Sequence, residues 1–135
     1  MPHIIKRYFD AFNAKNVAGM LDCLSDDVAH HVNEGTIRRG KPAFADFCKH
    51  MSRCNDETLT DIVIFDAPAQ GRAAAEYVVN GRYLATDDGL PEADGQSYRL
   101  TAGSFFDVAD GKITRVTTRY NLSDWIAQVS GDHDA

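Results

Sequence analysis

The most constraining feature of the sequence is a hairpin pattern near its C-terminus, QSYRLTAGSFFDVADGKITRVTTRYN, residues 96–121. Asp110-Gly111 separates two runs rich in β-branched and aromatic residues, and this dipeptide favours the tight turns that join antiparallel strands. The pattern therefore predicts two long strands joined by a turn at residues 109–112. The residues upstream are expected to cover one face of the resulting sheet.

Length and composition exclude several classes of protein. A chain of 135 residues that is 44% hydrophobic and 25% charged is typical of one globular domain, which we assign to residues 1–135. The net charge of −6 disfavours nucleic acid and anionic membranes as partners. The N-terminal residues lack the apolar core of a signal peptide. Three cysteines without CxxC spacing favour reduced thiols and a cytoplasmic location; they are Cys23, Cys48 and Cys54.

The apolar pattern changes along the chain from helical to extended. Helical spacing predicts helices over residues 2–14, 16–24 and 42–53. Residues 28–33, 59–65 and 73–83 read as strands, residues 84–95 as a loop, and a short last helix starts at Ser123. Helices followed by a mostly antiparallel sheet make an α+β fold. A twisted sheet curls, so helices on its concave face leave a pocket.

Three segments carry a resemblance to a known family. They are RYFDAFNAKNVAGMLDCLSDDVAHHV, the spacing GxYxATDxGLP, and SFFDVADGKITRVTTRYNLSDW. Together they resemble the nuclear transport factor 2-like superfamily, and within it the ketosteroid isomerase-related and SnoaL-like proteins. The resemblance covers residues 4–129 and implies a cone-shaped α+β barrel, open at one end, with a mostly apolar pocket. It also implies a homodimer formed through the outer face of the sheet.

The resemblance carries over only part of the isomerase chemistry. Ketosteroid isomerases use a carboxylate base and an oxyanion hole made of a tyrosine and a protonated aspartic acid. The tyrosine matches Tyr8, for which packing in the core is the alternative. The base position falls on Val32, and counting back from the turn places the second acid at Gly103. We therefore expect that the chain does not use the standard isomerase mechanism.

His30 is the candidate proton-transfer group on the strand of residues 28–33. By alternation it shares a face with Val32, and an imidazole titrates near neutral pH. The alternative is a histidine buried in the core without a catalytic role. His31 should point to the opposite face, and two adjacent histidines on a strand make a poor metal site. We predict no metal and no cofactor.

Glu76 stands out as a carboxylate within an apolar strand. It either faces solvent, pairs with Arg99 or Arg119, or lies in the pocket with a raised pKa.

Tyr120 is expected to stack on a ligand, and Trp125 to pack the last helix across the cone. Asn121 lies near a position where some cyclases have an acid. The full set of predicted ligand-binding residues is Phe12, Val32, Asn80, Tyr83, Arg99, Gly103, Phe105, Tyr120, Asn121 and Trp125.

Two functions remain open at this point. One is a cofactor-independent isomerase, cyclase or lyase that moves a proton on a small hydrophobic carbonyl or polycyclic compound. His30 or Glu76 would move the proton and Tyr8 would polarise the oxygen. The other is a non-catalytic module that binds a small hydrophobic molecule or serves for dimerisation. Loss of the two isomerase carboxylates favours the module, and a histidine inside the cone favours the enzyme.

Overall fold

The predicted hairpin is present in the computed structural model, which describes residues 3–33 and 35–130. Its strands are β5 (Ser97–Ala109) and β6 (Lys112–Tyr120), paired antiparallel. Asp110 and Gly111 have φ of 52° and 75°, so both turn residues adopt the left-handed conformation. Asp and Gly tolerate that conformation better than most residues, which is why this dipeptide specifies the turn.

The remaining elements complete the α+β fold that the sequence predicts. The helices are α1 (His3–Asn13), α2 (Val17–Asp22), α3 (Lys41–Cys54) and α4 (Leu122–Val129). The other strands are β1 (Leu24–Val32), β2 (Arg38–Arg39), β3 (Asn55–Ala67) and β4 (Arg72–Tyr83). The six strands form one sheet in the order β2-β1-β6-β5-β4-β3, with β1 and β6 parallel and the other neighbours antiparallel.

The helices bury their apolar stripes against the concave face of this sheet. In α1, Ile5, Tyr8 and Phe9 are buried, while Lys6 and Asp10 face solvent and form an ion pair. The spacing of four residues places the buried side chains on one face of the helix. Phe44 of α3 and Trp125 of α4 are also buried in the same core.

Alternation along β4 separates the two faces of the sheet. Ala73, Ala75, Tyr77 and Val79 are buried and face the helices, whereas Glu76 is exposed on the outer face. Register extends this division to neighbouring strands, because residues paired across strands share a face. Outer residues include large exposed apolar side chains; they are Val63, Phe65 and Phe105.

Two predicted boundaries differ from the structure. The second helix ends at Asp22 and β1 already begins at Leu24, four residues before the predicted strand start at Val28. Strand β3 begins at Asn55, directly after α3, whereas its polar residues 55–58 were not predicted to be extended. Both segments are rich in polar residues, and pairing with β6 and with β4 overrides their weak strand propensity.

A search of the described residues finds no helix that is both long enough and apolar enough to cross a membrane.

Candidate functional site

A cavity of about 670 Å³ lies between the helices and the concave face of the sheet. This volume is within the range of small-molecule pockets. The surface of the cavity is mostly apolar, although half of its thirty lining residues carry a polar or ionisable group. The polar and ionisable residues of the lining are Tyr8, Lys15, His30, Arg38, Cys48, His50, Ser52, Asn55, Asp56, Glu57, Tyr77, Asp87, Ser104, Thr118 and Tyr120.

His30 lines this cavity, as the alternation of β1 predicts. It is 4% exposed, and its ring lies 4.5 Å from the ring of Phe44 and 4.8 Å from that of Phe47. Burial, with the positive charges of Arg38 and His31, lowers the pKa of His30 from 6.5 to about 4. His30 is therefore neutral at neutral pH.

The Nδ1 atom of His30 has an unusual environment. Within residues 3–33 and 35–130 it is the one buried side-chain nitrogen or oxygen that lacks a hydrogen-bond partner. Such an atom costs about 1–3 kcal/mol of desolvation free energy. Because a buried N–H without a partner is rarer than a buried acceptor without one, we place the imidazole hydrogen on Nε2. A core role does not explain this cost.

Tyr8 and His30 share Phe44 as a neighbour, at ring distances of 6.4 and 4.5 Å. Burial, with smaller effects from Cys48 and Tyr77, raises the pKa of Tyr8 well above its usual value. The phenol therefore keeps its proton, and the described residues provide no partner for its hydroxyl group. Tyr8 can donate that hydrogen to a ligand in the cavity.

A chain of hydroxyl groups crosses the same wall of the cavity. The Tyr77 hydroxyl lies 2.7 Å from Ser104 Oγ, which lies 2.9 Å from Thr118 Oγ1. These three residues sit on β4, β5 and β6, and all three line the cavity. Each hydroxyl has a protein partner, which distinguishes the chain from Tyr8 and His30.

Glu57 is a cavity residue that the sequence did not indicate. Strand alternation from Leu59, which is buried, places Asn55 and Glu57 on the inner face of β3. The Tyr98 hydroxyl forms a short hydrogen bond with Glu57 Oε2 and a bond of 2.9 Å with Asn55 Oδ1. Burial raises the pKa of Glu57, although the hydrogen bond from Tyr98 opposes that change. Glu57 would have been identified if the strand had been predicted to start at residue 55, because alternation from Leu59 then places Glu57 on the inner face.

Glu76, the predicted catalytic carboxylate, lies on the opposite face of the sheet. It is exposed and pairs in register with Val63 and Gly103. Of the three alternatives that the sequence left open for Glu76, the structure has the one in which this side chain faces solvent. Because Tyr77 points into the cavity, its neighbour Glu76 must point away from it. Glu76 is not brought together with Tyr8 and His30.

Gly103 and Phe105 also lie on the outer face and do not line the cavity. Phe105 is 47% exposed, and the inner positions of this segment are Ala102 and Ser104. Alternation along β5 runs unbroken from the buried Ser104 and Phe106, so Gly103 and Phe105 must point to the outer face. Neither inner residue is acidic, so this part of β5 provides no carboxylate to the cavity.

Four further predicted residues have structural contacts elsewhere. Asn80 and Arg99 line a shallow groove on the outer face, where Asn80 Nδ2 donates to Thr60 Oγ1 at 2.9 Å. Asn121 caps α4 by accepting from the Asp124 amide. Tyr83 is buried, and its hydroxyl donates to the carbonyl of Pro91 at 2.6 Å, which fixes the loop after β4.

The remaining predicted ligand-binding residues do line the cavity. They are Phe12, Val32, Tyr120 and Trp125. Trp125 is 6% exposed and packs edge-on against Tyr83 and Tyr98, at ring distances of 4.9 and 5.7 Å. It packs α4 against the inner side chains of β4 and β5.

A polar cluster at the edge of the cavity holds the loop after β4 against α3. His50 Nε2 lies 2.8 Å from Asp87 Oδ1 and 3.9 Å from Cys54 Sγ, and Arg53 Nη2 lies 3.2 Å from His50 Nδ1. Arginine only donates, so Nδ1 accepts and Nε2 carries the hydrogen that binds Asp87. A metal-bound histidine needs an acceptor at its other nitrogen, which Arg53 is not. The expectation of no metal stays a prediction.

Comparison with known proteins identifies the family. The model of the SnoaL-like domain matches residues 5–116. A solved candidate polyketide cyclase from a Silicibacter species is 70% identical, with a TM-score of 0.93 over 96% of this chain and 94% of that one. Another from Pseudomonas putida is 49% identical, with a TM-score of 0.91 over 93% and 95%. No curated protein matches significantly.

A more distant structure shows how widely the fold is shared. A protein of Catenulispora acidiphila with a ketosteroid isomerase-like fold, solved with trimethylamine, is 16% identical, with a TM-score of 0.79 over 100% of this chain and 98% of that one. At that identity the likeness concerns the fold alone. The matched domain, the sheet order and the cavity under the helices lead to one assignment: this chain belongs to the SnoaL-like family and has the nuclear transport factor 2-like α+β cone fold.

Proposed function

We propose that this protein is a cofactor-independent enzyme of the isomerase or cyclase type that moves a proton on a small hydrophobic carbonyl compound. The observation that carries the proposal is the pair of Tyr8 and His30 in the cavity. One has a hydroxyl without a partner among the described residues, and the other has an Nε2–H group that no described residue accepts. Two such groups in an apolar cavity are suited to a ligand oxygen.

The two groups act on the oxygen of the ligand. Tyr8 keeps its proton because its pKa is raised, and His30 stays neutral because its pKa is about 4. The Tyr8 hydroxyl and the His30 Nε2–H donate hydrogen bonds to a carbonyl oxygen, and these bonds strengthen as negative charge develops there. The same low pKa makes His30 a weak base, so its role is to polarise the oxygen.

The similar proteins support the choice of substrate. Two of the solved structures reported above, at 70% and 49% identity, are candidate polyketide cyclases. Polyketides carry several carbonyl groups with acidic C–H bonds between them, which is the chemistry that an oxygen-polarising pair assists. Aromatic residues in the lining suit a flat, partly unsaturated compound. We therefore propose a polyketide or a polycyclic ketone as the substrate.

The experiment that tests this proposal is hydrogen exchange on a model ketone. The protein is mixed in D₂O with 2-tetralone, a bicyclic ketone, and deuterium incorporation next to the carbonyl is followed by NMR. Exchange above the buffer rate that is lost on heat denaturation supports the proposal. Saturable binding of the ketone without added exchange contradicts it.

The alternative is a non-catalytic module that binds a small hydrophobic molecule. It is favoured by one observation, which is that Val32, Ala102 and Ser104 line the cavity where an acid would be needed for the standard isomerase mechanism. Mass spectrometry of small molecules released from the denatured protein identifies the ligand in either case. Recovery of an unchanged apolar compound, without ketone exchange, supports the module.

We also propose a homodimer formed through the outer face of the sheet. Phe65 and Phe105 lie in one row across β3, β4 and β5, are 53% and 47% exposed, and are separated by the small side chain of Ala74. A second copy of the chain would cover this apolar row. Light scattering of the wild type is expected to give twice the monomer mass, and of Phe105→Lys the monomer mass. A monomeric wild type contradicts the dimer.

The cytoplasmic location stays a prediction.

A further inference from the structure

Glu57 is a carboxyl group of the cavity lining that is bonded to the Tyr98 hydroxyl. We propose that Glu57 is the catalytic group that takes the proton from the bound ketone and returns it, and that Tyr98 and Gly81 are positioning residues for its carboxyl group. This inference rests on the proposed function and names the group that the Tyr8 and His30 pair leaves unspecified.

Register shows how Tyr98 reaches Glu57. Glu57 on β3 pairs with Gly81 on β4, and Gly81 pairs with Tyr98 on β5, so the three lie in one row. Tyr98 and Glu57 are thus two strands apart, and the phenol must cross β4 to meet the carboxyl group. A side chain on the strand between them would be in the way.

Gly81 provides the room for this crossing. A Cβ atom added to Gly81 would lie 2.3–2.5 Å from Cζ, Cε2 and the hydroxyl oxygen of Tyr98. Glycine within a strand weakens it, and its presence often marks a close approach by another group. Here that group is the Tyr98 ring, with Trp125 packed against it at 5.7 Å. The contact keeps the hydroxyl directed at Glu57.

The Tyr98 hydroxyl can form a hydrogen bond with Glu57 whether Glu57 is ionised or protonated. When Glu57 is ionised, the Tyr98 hydroxyl donates its one hydrogen to Oε2. When Glu57 is protonated, its own O–H can donate to the Tyr98 oxygen, and Tyr98 then donates to Asn55 Oδ1 at 2.9 Å. The bond between Tyr98 and Glu57 is therefore kept in both states, which is what a group that accepts and returns a proton requires.

The surroundings of Glu57 set its proton affinity. Burial is the main effect and raises its pKa, the bond from Tyr98 and the charge of Lys15 lower it, and Asp56 raises it. Tyr98 itself keeps its proton, because burial raises its pKa. A base whose pKa lies closer to neutrality than that of an ordinary carboxylate transfers protons more effectively at neutral pH. His30, with its lowered pKa, lacks that advantage.

The step balances without an oxidant or reductant. The Glu57 carboxylate removes a proton from the carbon next to the carbonyl, and the C–H electron pair moves into the enolate, whose oxygen is bound by Tyr8 and His30. When the ketone has a β,γ double bond, the enolate is conjugated with it, and the Glu57 carboxylic acid returns the proton to the γ carbon, which moves the double bond and isomerises the compound. In a cyclisation, the enolate carbon attacks a second carbonyl of the same molecule, and Glu57 protonates the new alkoxide.

The test compares two glutamates on the two faces of the sheet. Deuterium incorporation into 2-tetralone is measured for wild type, Glu57→Gln and Glu76→Gln. We expect Glu57→Gln to lower the rate by about 10²–10⁴-fold and Glu76→Gln to leave it unchanged. Equal rates for wild type and Glu57→Gln overturn the role of Glu57 while the proposed function stands. Absence of exchange by wild type overturns the proposed function itself.

A second set of variants tests the positioning residues. Tyr98→Phe removes a bond that favours the ionised carboxyl group, so the midpoint of the exchange rate against pH is expected to rise. Gly81→Ala displaces the phenol and is expected to shift the midpoint in the same direction. NMR of ¹³C-labelled glutamate measures the Glu57 titration directly, without substrate. A midpoint that stays at the wild-type pH in both variants overturns the positioning roles.

Discussion

The two faces of the sheet differ in how their polar side chains are bonded. On the outer face these groups pair with each other: Asp107 Oδ1 lies 3.0 Å from both Arg72 Nε and Arg115 Nη2. On the inner face, no described residue bonds to the Tyr8 hydroxyl or to His30 Nε2. The difference separates groups that stabilise the fold from groups that are available to a ligand.

The same contrast distinguishes the two glutamates. Glu76 is solvated on the outer face, whereas Glu57 is held inside by a phenol that crosses a strand to reach it. Holding a carboxyl group away from water costs free energy that solvent exposure would avoid. A carboxyl group that is kept buried at such a cost is a better candidate for function than one that is exposed to solvent.

Among the groups without a protein partner, the largest effect is expected from removing the Tyr8 hydroxyl. Tyr8→Phe keeps the ring contacts with Phe9, Phe44 and Phe106 and removes one hydrogen-bond donor. Loss of an oxyanion donor lowers the rate by about 10²–10³-fold. The ketone exchange rate is expected to fall by that factor while the melting temperature stays near that of wild type. An unchanged rate would mean that Tyr8 serves packing alone.

The pH dependence of stability comes next. The pKa of His30 is lowered in the folded state from 6.5 to about 4, so the unfolded chain binds the proton more readily. The contribution of His30 is therefore fully present above about pH 6.5 and is lost as the pH falls to about 4. The loss is about 3 kcal/mol of unfolding free energy.

Urea unfolding at pH 7 and pH 4 measures this loss. In His30→Leu the drop in unfolding free energy between the two pH values should be smaller than in wild type by about that amount. His31→Leu, which changes the neighbouring residue on the outer face, is the matched control and should keep the wild-type drop. An equal drop in wild type and His30→Leu would mean that His30 already binds its proton in the folded state.

The smallest effect is expected from an ion pair on the outer face. The hydrogen bond from Arg115, and the charges of Arg115 and Arg72, lower the pKa of Asp107. Because these side chains are partly solvated, Asp107→Asn should lower the unfolding free energy by about 1 kcal/mol or less. The exchange rate should not change. A large fall in the ketone exchange rate of Asp107→Asn would contradict the view that polar groups of the outer face stabilise the fold without taking part in catalysis.

The fold could be predicted from the sequence because its signals are local. The Asp110-Gly111 turn, the helical stripe of α1 and the alternation of β4 each act over a few residues. His30 and Tyr8 were found for the same reason, since one strand or one helix face places each side chain. The resemblance to the family was confirmed by the matched domain model over residues 5–116.

The rest of the site depends on contacts between distant segments. Glu57 lies in the polar run Asn55-Asp-Glu-Thr58, which lacks a strand pattern, and only pairing with β4 and the crossing by Tyr98 reveal its direction. Gly103 was misplaced because it was assigned from the family pattern, whereas alternation from the buried Ser104 points it to the outer face. His50 and Asp87 meet across 37 positions of sequence, so spacing could not connect them.

The central claim is that the unbonded groups of the inner face exist for a ligand. The most direct test is the exchange of 2-tetralone by His30→Leu at pH 7, compared with wild type and His31→Leu. Leucine fills a similar volume and removes a buried polar atom that has no partner. We predict that His30→Leu loses at least tenfold in exchange rate while His31→Leu keeps the wild-type rate. A His30→Leu protein that exchanges the ketone as fast as wild type would contradict the claim.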